Sequence, residues 1–156
     1  HMVYDALAAI AVGSLLGIAP KNAAGALKNY TPEGMRQRVT RVRDMTLIED
    51  CYNASPDSVK AALKVLSAYR QGRRIAVLGD MLELGDYAQQ LTYVNLSAET
   101  SKAAKELGLP TEHFRDMDAL CKTLKEVLRP GDTVLVKGSR GMHMEQVVER
   151  VFLNAE

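Results

Sequence analysis

Cysteine is scarce in this chain of 156 residues, with only Cys51 and Cys121. The two lie far apart in different predicted elements, and neither has a metal-ligand spacing around it. That argues against a disulfide framework and makes a reducing, cytoplasmic setting the expectation. An excess of one charge is missing as well: 20 Lys and Arg face 19 Asp and Glu, for a net charge of +1. No basic surface therefore speaks for nucleic acid, and the scattered charges read as solvated faces. The most apolar window, Ala6 to Ile18, falls short of the ~20 residues that a membrane span needs, and no charged segment precedes it. Neither a membrane nor a nucleic acid is expected as a partner. Phosphate-binding signatures are also absent, both G-x-x-x-x-G-K-[ST] and a G-x-G-x-x-G after a strand, and no His, Cys or carboxylate cluster is spaced for a metal. His113 and His143 have no partners that suggest a catalytic triad and read as surface or edge histidines. A nucleotide could be handled by this chain from one side only.

What remains is an ordinary globular composition, 47% hydrophobic and 25% charged, with strands and helices in alternation. His1-Met2 reads as a cloning scar, with the natural chain expected to begin further upstream. Leu7, Ile10, Ala11, Ser14 and Leu15 repeat at helical spacing and predict an amphipathic helix from Val3 to Leu16, closed by Gly17 and Pro20. A short helix from Asn22 to Leu27 leads to the turn Tyr30-Thr-Pro-Glu-Gly34, a linker into a new unit. Arg36 to Arg43, with Val39 and Val42 among polar residues, predicts a strand with one wet face. Asp44 turns it into a buried strand, Met45 to Asp50. Ser55 as N-cap and Pro56 at the first helical position start a helix whose Val59, Ala62, Leu63 and Leu66 form one face.

Ile75-Ala-Val-Leu-Gly79 is an apolar run expected as a central parallel strand covered on both faces. A helix from Ser97 to Leu107, a weak edge strand at Glu112-His-Phe-Arg115 and a helix capped by Asp116 follow, the last with Leu120, Leu124, Val127 and Leu128 inward. Thr133-Val-Leu-Val136 is another buried strand, and a final helix from about Met144 carries Val147, Val148 and Val151. This alternation predicts an α/β fold, a Rossmann-like doubly wound and mostly parallel sheet with flanking helices.

In such a sheet ligands bind beyond the carboxyl ends of the strands. Asp50, Tyr52 and Asn53 stand at the mouth of one turn, where an anion or nucleotide would sit before a helix N-terminus. Asp80 and Glu83 occupy a second turn, and Lys137, Ser139 and Arg140 a third. Brought together, these groups could bind a zwitterion, with Arg140 or Lys137 on a carboxylate and Asp80 or Glu83 on an ammonium. Each turn alone is equally well read as a plain capped connection with solvated charges.

Three motifs carry a resemblance: Ile48-Glu-Asp-Cys-Tyr-Asn-Ala-Ser-Pro-Asp-Ser-Val-Lys-Ala-Ala-Leu63, Val77-Leu-Gly-Asp-Met-Leu-Glu-Leu-Gly85 and Val134-Leu-Val-Lys-Gly-Ser-Arg-Gly-Met-His-Met-Glu-Gln-Val-Val148. In order and spacing they resemble the C-terminal domain of the Mur ligases, nearest the branch of the family that joins D-Ala-D-Ala to UDP-N-acetylmuramoyl-tripeptide. Val3-Tyr-Asp-Ala-Leu-Ala-Ala9 resembles the last helix of that family's central ATPase domain, with Asp5 where the family usually has Asn. The resemblance implies a cytoplasmic, ATP- and Mg²⁺-dependent amide ligase of peptidoglycan precursor synthesis that works through an acyl phosphate. Residues 3–30 would then be the end of the ATPase domain and a linker, and residues 31–156 the C-terminal domain. The phosphate loop, magnesium ligands and UDP-sugar site would belong to upstream domains of the same polypeptide, so that this fragment alone holds no catalytic residue and is inactive.

By the same resemblance Arg36 matches a linker arginine that reaches the nucleotide phosphates, Asp50 an acid that meets ribose hydroxyls, and Tyr52 and Asn53 neighbours lining the nucleotide. Lys137, Ser139 and Arg140, with Asp80 and Glu83 beside them, match the turns that face the dipeptide. One departure stands out: between Gly85 and Ser97 the family has a helix and a complete strand, where this chain offers a short stretch ending in Leu91-Thr-Tyr-Val94. A segment omitted from the sequence is the expected cause. A folylpolyglutamate synthase-like amide ligase domain and a non-catalytic α/β binding module remain as alternatives.

Overall fold

Proline and glycine punctuate the first 30 residues into two helices, and apolar runs then alternate with capped helices. The computed structural model describes residues 2–30, 34–82, 100, 102 and 104–154. Its contacts divide the chain into His1–Glu33 and Gly34–Glu156. In the first unit α1 (Met2–Leu15) stops just before Gly17, and α2 (Pro20–Ala26) begins on Pro20 and runs into a 3₁₀ turn, Leu27–Asn29. The expected buried stripe of α1 is not buried: Leu7 is 55% and Leu15 88% exposed. Within this unit a 14-residue and a 7-residue helix cannot enclose an apolar face between them.

The second unit is built on a four-stranded sheet of order β1-β2-β4-β3: β1 (Arg38–Val42), β2 (Met45–Asp50), β3 (Arg74–Leu78) and β4 (Thr133–Lys137). β1 is antiparallel to β2, while β2, β4 and β3 run parallel. The mostly parallel sheet is as expected. The hairpin turns through Arg43 and Asp44, both at positive φ, the twist that matches a two-residue connection. Val39 is exposed whereas Val42 packs against the core. Three residues apart, the two must point to opposite faces of a strand, so they cannot share one dry side.

α3 (Pro56–Ala68) lies between β2 and β3 in the chain, and α4 (Met117–Val127) between β3 and β4. Helices cover both faces of the sheet. Ile48 and Leu135 pack with Ala62 and Leu66 of α3, while Leu47, Val134 and Val136 pack with Cys121 and Leu124 of α4 and with Val147, Val151 and Phe152 of the last helix. That helix, α5 (Glu145–Val147), continues as a π-helical stretch, Val148–Leu153, rather than as α-helix. On α3, Val65 and Tyr69 take the packing positions expected of Leu63, which is exposed, and on α4 Cys121 is buried where Val127 was expected.

Two other expectations change. Glu112–Arg115 is not a strand, because it has no ladder partner among the described residues and a strand is made by that pairing. β3, expected to be covered on both faces, has Ala76 exposed, and it is the outermost strand of the sheet among the described residues. Residues 100, 102 and 104–106 are helical, within the helix expected from Ser97. Glu83, the stretch from Gly85 to Ser97 and the strand tail Leu91–Val94 lie outside the described residues.

The amino ends of the parallel strands are tied together away from any candidate site. Arg73 grips the buried Asp132 with two hydrogen bonds, of 2.9 and 2.7 Å, and the Arg129 backbone N–H adds a third at 2.8 Å. Burial works against the Asp132 carboxylate, but the Arg73 fork and the Arg129 N–H outweigh it and hold the group below its ordinary range. Gly72, at φ +72°, passes so close to Gly131 that no side chain fits between them.

Candidate functional site

The three parallel strands deliver their carboxyl ends to one rim. Asp50 of β2 and Leu78 of β3 are both register partners of Lys137 on β4. Beyond the strands the β3 and β4 turns stay zipped together: Gly79 N–H donates to the Lys137 carbonyl at 2.7 Å, Ser139 N–H to the Asp80 carbonyl at 3.2 Å and Leu82 N–H to Ser139 Oγ at 2.8 Å. Small residues allow this. A Cβ on Gly138 would fall 2.6 Å from Met144 Cγ and 3.3 Å from Gly79 Cα. Ser139, expected to face a substrate, is thus buried and serves as the acceptor that holds the neighbouring turn.

On the other side of Lys137, the β2 turn runs into α3 through a capping box, with Ser55 Oγ accepting from Ser58 N–H and Ser58 Oγ from Ser55 N–H. Asn53 folds its side chain back so that Oδ1 accepts from Ala54 N–H at 2.6 Å. Tyr52 N–H donates to the Met35 carbonyl and Gln37 N–H to Asp50 Oδ1, both at 3.3 Å. These bonds bring the segment before β1 to the rim and with it Arg36. Its guanidinium stacks 3.9 Å from the centre of the Tyr52 ring, and that of Arg140 lies 5.4 Å from the same ring. Both arginines are exposed, and neither is in an ion pair among the described residues. Two permanent cations held on one aromatic ring at a strand end are suited to a phosphate or carboxylate.

Lys137 and Asp50 are placed differently from this open pair. Lys137 Nζ donates to Asp50 Oδ2 at 2.7 Å and to the Asn53 carbonyl at 2.9 Å, with the lysine 2% and the aspartate 7% exposed. Sequence reasoning brought the two to one edge of the sheet, as observed, but assigned them to separate ligands and missed that they pair with each other. The available signal was the charge at the end of each buried strand; the parallel topology puts those charges on one rim, and only the register makes them direct partners.

Cys51 lies just below the rim, with its thiol donating to the Val136 carbonyl at 3.4 Å. Burial above all, with the Glu145, Glu49 and Asp50 carboxylates adding to it, pushes the thiol up to about 12, so it is no nucleophile near neutral pH. Among the described residues no three His, Cys, Asp or Glu converge on a point that could hold a metal. His143 pairs with Glu145 at 3.1 Å on the surface.

A family model described as "Mur ligase, glutamate ligase domain" matches residues 35–140, which includes the whole hairpin and all three turns of the rim. The chain belongs to the Mur ligase family. Among its relatives, the UDP-N-acetylmuramoyl-tripeptide–D-alanyl-D-alanine ligase of Bacillus subtilis is 35% identical over 170 residues, covering 96% of this chain and 37% of that protein. The ligase of the same name from Escherichia coli is 31% identical, covering 95% and 36%. A crystal structure of MurF from Acinetobacter baumannii superposes with a TM-score of 0.77 at 25% identity, over 97% of this chain and 37% of that one. The chain therefore spans little more than a third of the length of these Mur ligases. The alignment with the Bacillus protein runs over 170 positions, more than the 156 residues of this chain.

Proposed function

We propose that this chain is the C-terminal part of an ATP-dependent ligase that adds D-Ala-D-Ala to UDP-N-acetylmuramoyl-tripeptide in peptidoglycan precursor synthesis. Residues 3–30 are, in this reading, the end of a central ATPase domain. The exposed apolar face of α1 supports it, as a surface of that kind suits packing against more polypeptide. Residues 31–156 form the domain that closes over the nucleotide and presents the dipeptide.

The observation that carries the reading is the Arg36–Tyr52–Arg140 stack set beside Asp50, at one rim of a sheet of this family. Its donor set fits half of a nucleotide site. Arg36 would meet phosphate oxygens, Asp50 ribose hydroxyls, and the Tyr52–Asn53 turn the nucleoside. Arg140 and the Asp80 turn would face the zwitterionic dipeptide, guanidinium toward carboxylate and carboxylate toward ammonium. Mg²⁺ is assigned to upstream domains, because the described part of this rim offers it no set of acidic ligands. When bound, ATP supplies the phosphoryl group that activates the peptide carboxylate. The work of this chain is to hold the nucleotide from one side, orient the incoming amine and exclude water.

The test is phosphate release by the intact ligase. It should require ATP, the UDP-linked tripeptide and D-Ala-D-Ala together, and isolated residues 3–156 should release none. Preference for glutamate or a folate as the acceptor pair would overturn the reading.

A further inference from the structure

Lys137 is among the largest fully buried side chains of the described residues, and it carries a charge. Its position follows from the register: Asp50 and Lys137 are partners on adjacent parallel strands, on the same face of the sheet as Ile48 and Leu135. Neighbouring strands lie about 4.8 Å apart, well within reach of a lysine stem. The ammonium therefore meets Asp50 Oδ2 at 2.7 Å and the Asn53 carbonyl at 2.9 Å. Gln37 N–H takes the other carboxylate oxygen at 3.3 Å, so the carboxyl group is held at both ends. Each oxygen keeps acceptor capacity for a further donor.

Building on the proposed ligase reading, we propose that Lys137 is a positioning residue for the nucleotide and not a contact for the dipeptide. It fixes the Asp50 carboxylate and, through the Asn53 carbonyl, the turn that carries Tyr52. A dipeptide carboxylate could reach this ammonium only by displacing Asp50 from a pair that solvent barely touches. Stability alone is a poor reason for such a pair, because apolar residues of similar volume commonly do as well or better in its place. What the pair adds is the fixed direction of a carboxylate at the rim.

The experiment uses the intact ligase with Lys137→Met, Asp50→Asn and the double variant, reading ATP affinity by titration, KM for ATP and for D-Ala-D-Ala, and melting temperature. If Lys137 acts through Asp50, each single change weakens ATP binding by about tenfold, the double is no worse than the weaker single, and KM for the dipeptide stays within about twofold. The double variant leaves no unpaired buried charge, so it keeps the comparison valid if Lys137→Met alone folds poorly. A rise in dipeptide KM with ATP affinity unchanged overturns the proposal, as does a multiplied loss of ATP affinity in the double variant. A purely structural role would lower the melting temperature of Lys137→Met, restore it in the double and leave ATP affinity of the folded protein untouched, which also overturns it. Lack of D-Ala-D-Ala-dependent turnover in the unsubstituted ligase would overturn the ligase reading instead, and the ATP titrations would still decide the role of Lys137.

Discussion

Gly72→Ala is the most demanding test of how the sheet is anchored below the rim. An added Cβ would sit 1.9 Å from the Gly131 carbonyl oxygen and 2.8 Å from its carbon, and both obstacles are backbone. Gly131 N–H donates to the Asp44 carbonyl at 3.0 Å, and the next residue, Asp132, carries the Arg73 pair and accepts from Thr46 N–H at 2.9 Å. Relieving the clash means moving that backbone by more than an ångström, at the expense of at least one of those bonds. Alanine at positive φ costs roughly 1–2 kcal/mol, and each lost hydrogen bond costs about 1 kcal/mol more. The expected total is about 3 kcal/mol, or a fall of roughly 10 °C in melting temperature for a chain of this size. Gly108→Ala is the control. Gly108 has the same φ of +72°, but among the described residues nothing lies within 4 Å of its Cβ position, so backbone strain is the expected cost. Urea unfolding of both variants at unchanged m-value measures the difference. Equal losses at the two positions would refute the close approach of the turns.

Three further outcomes follow from the geometry. Tyr52→Leu removes the ring under Arg36 and Arg140 and should raise KM for ATP two- to fivefold, from the ~0.5–1 kcal/mol of an exposed cation–π contact, while Tyr52→Phe keeps the ring and should leave KM alone. Cys51 and Cys121 are both buried, and burial raises both thiols above their ordinary range. A thiol reagent at pH 8 should therefore label neither rapidly in the folded chain and both after denaturation. Asp132 is held below its unfolded value of 3.8, so its contribution to stability is complete above that pH and disappears as pH falls through the lower folded value. Asp132→Asn should flatten this part of the acid limb in a plot of melting temperature against pH, and an unchanged limb would contradict the assignment.

Near-neighbour chemistry made much of the chain readable. Ser55 and Asp116 cap their helices where their side chains predict, because a cap needs only the N–H groups two or three residues ahead. Met45–Asp50 and Thr133–Lys137 are strands because a continuous apolar run fits a sheet covered on both faces. Errors came where the covering layer was unknown. Leu7, Leu63 and Val127 sit at helical spacing like buried residues, but spacing cannot say whether a neighbour lies over them. Glu112–Arg115 failed as a strand for lack of a pairing edge, which no local pattern reveals.

The sequence by itself determined the alternation of elements, the turns at the strand ends and the charged groups those turns carry, since each depends on residues within a turn or two of one another. Only the tertiary structure decided what those groups do to each other. Asp50 and Lys137 are 87 residues apart in the chain, and their pairing depends on β2 and β4 lying side by side in one register. Arg36 reaches Tyr52 only because Met35 and Gln37 are bonded to the end of β2. Strand order and register are set by the packing of the whole sheet, so the division of the rim into a sealed ion pair and an open pair of arginines could not be read from any single stretch.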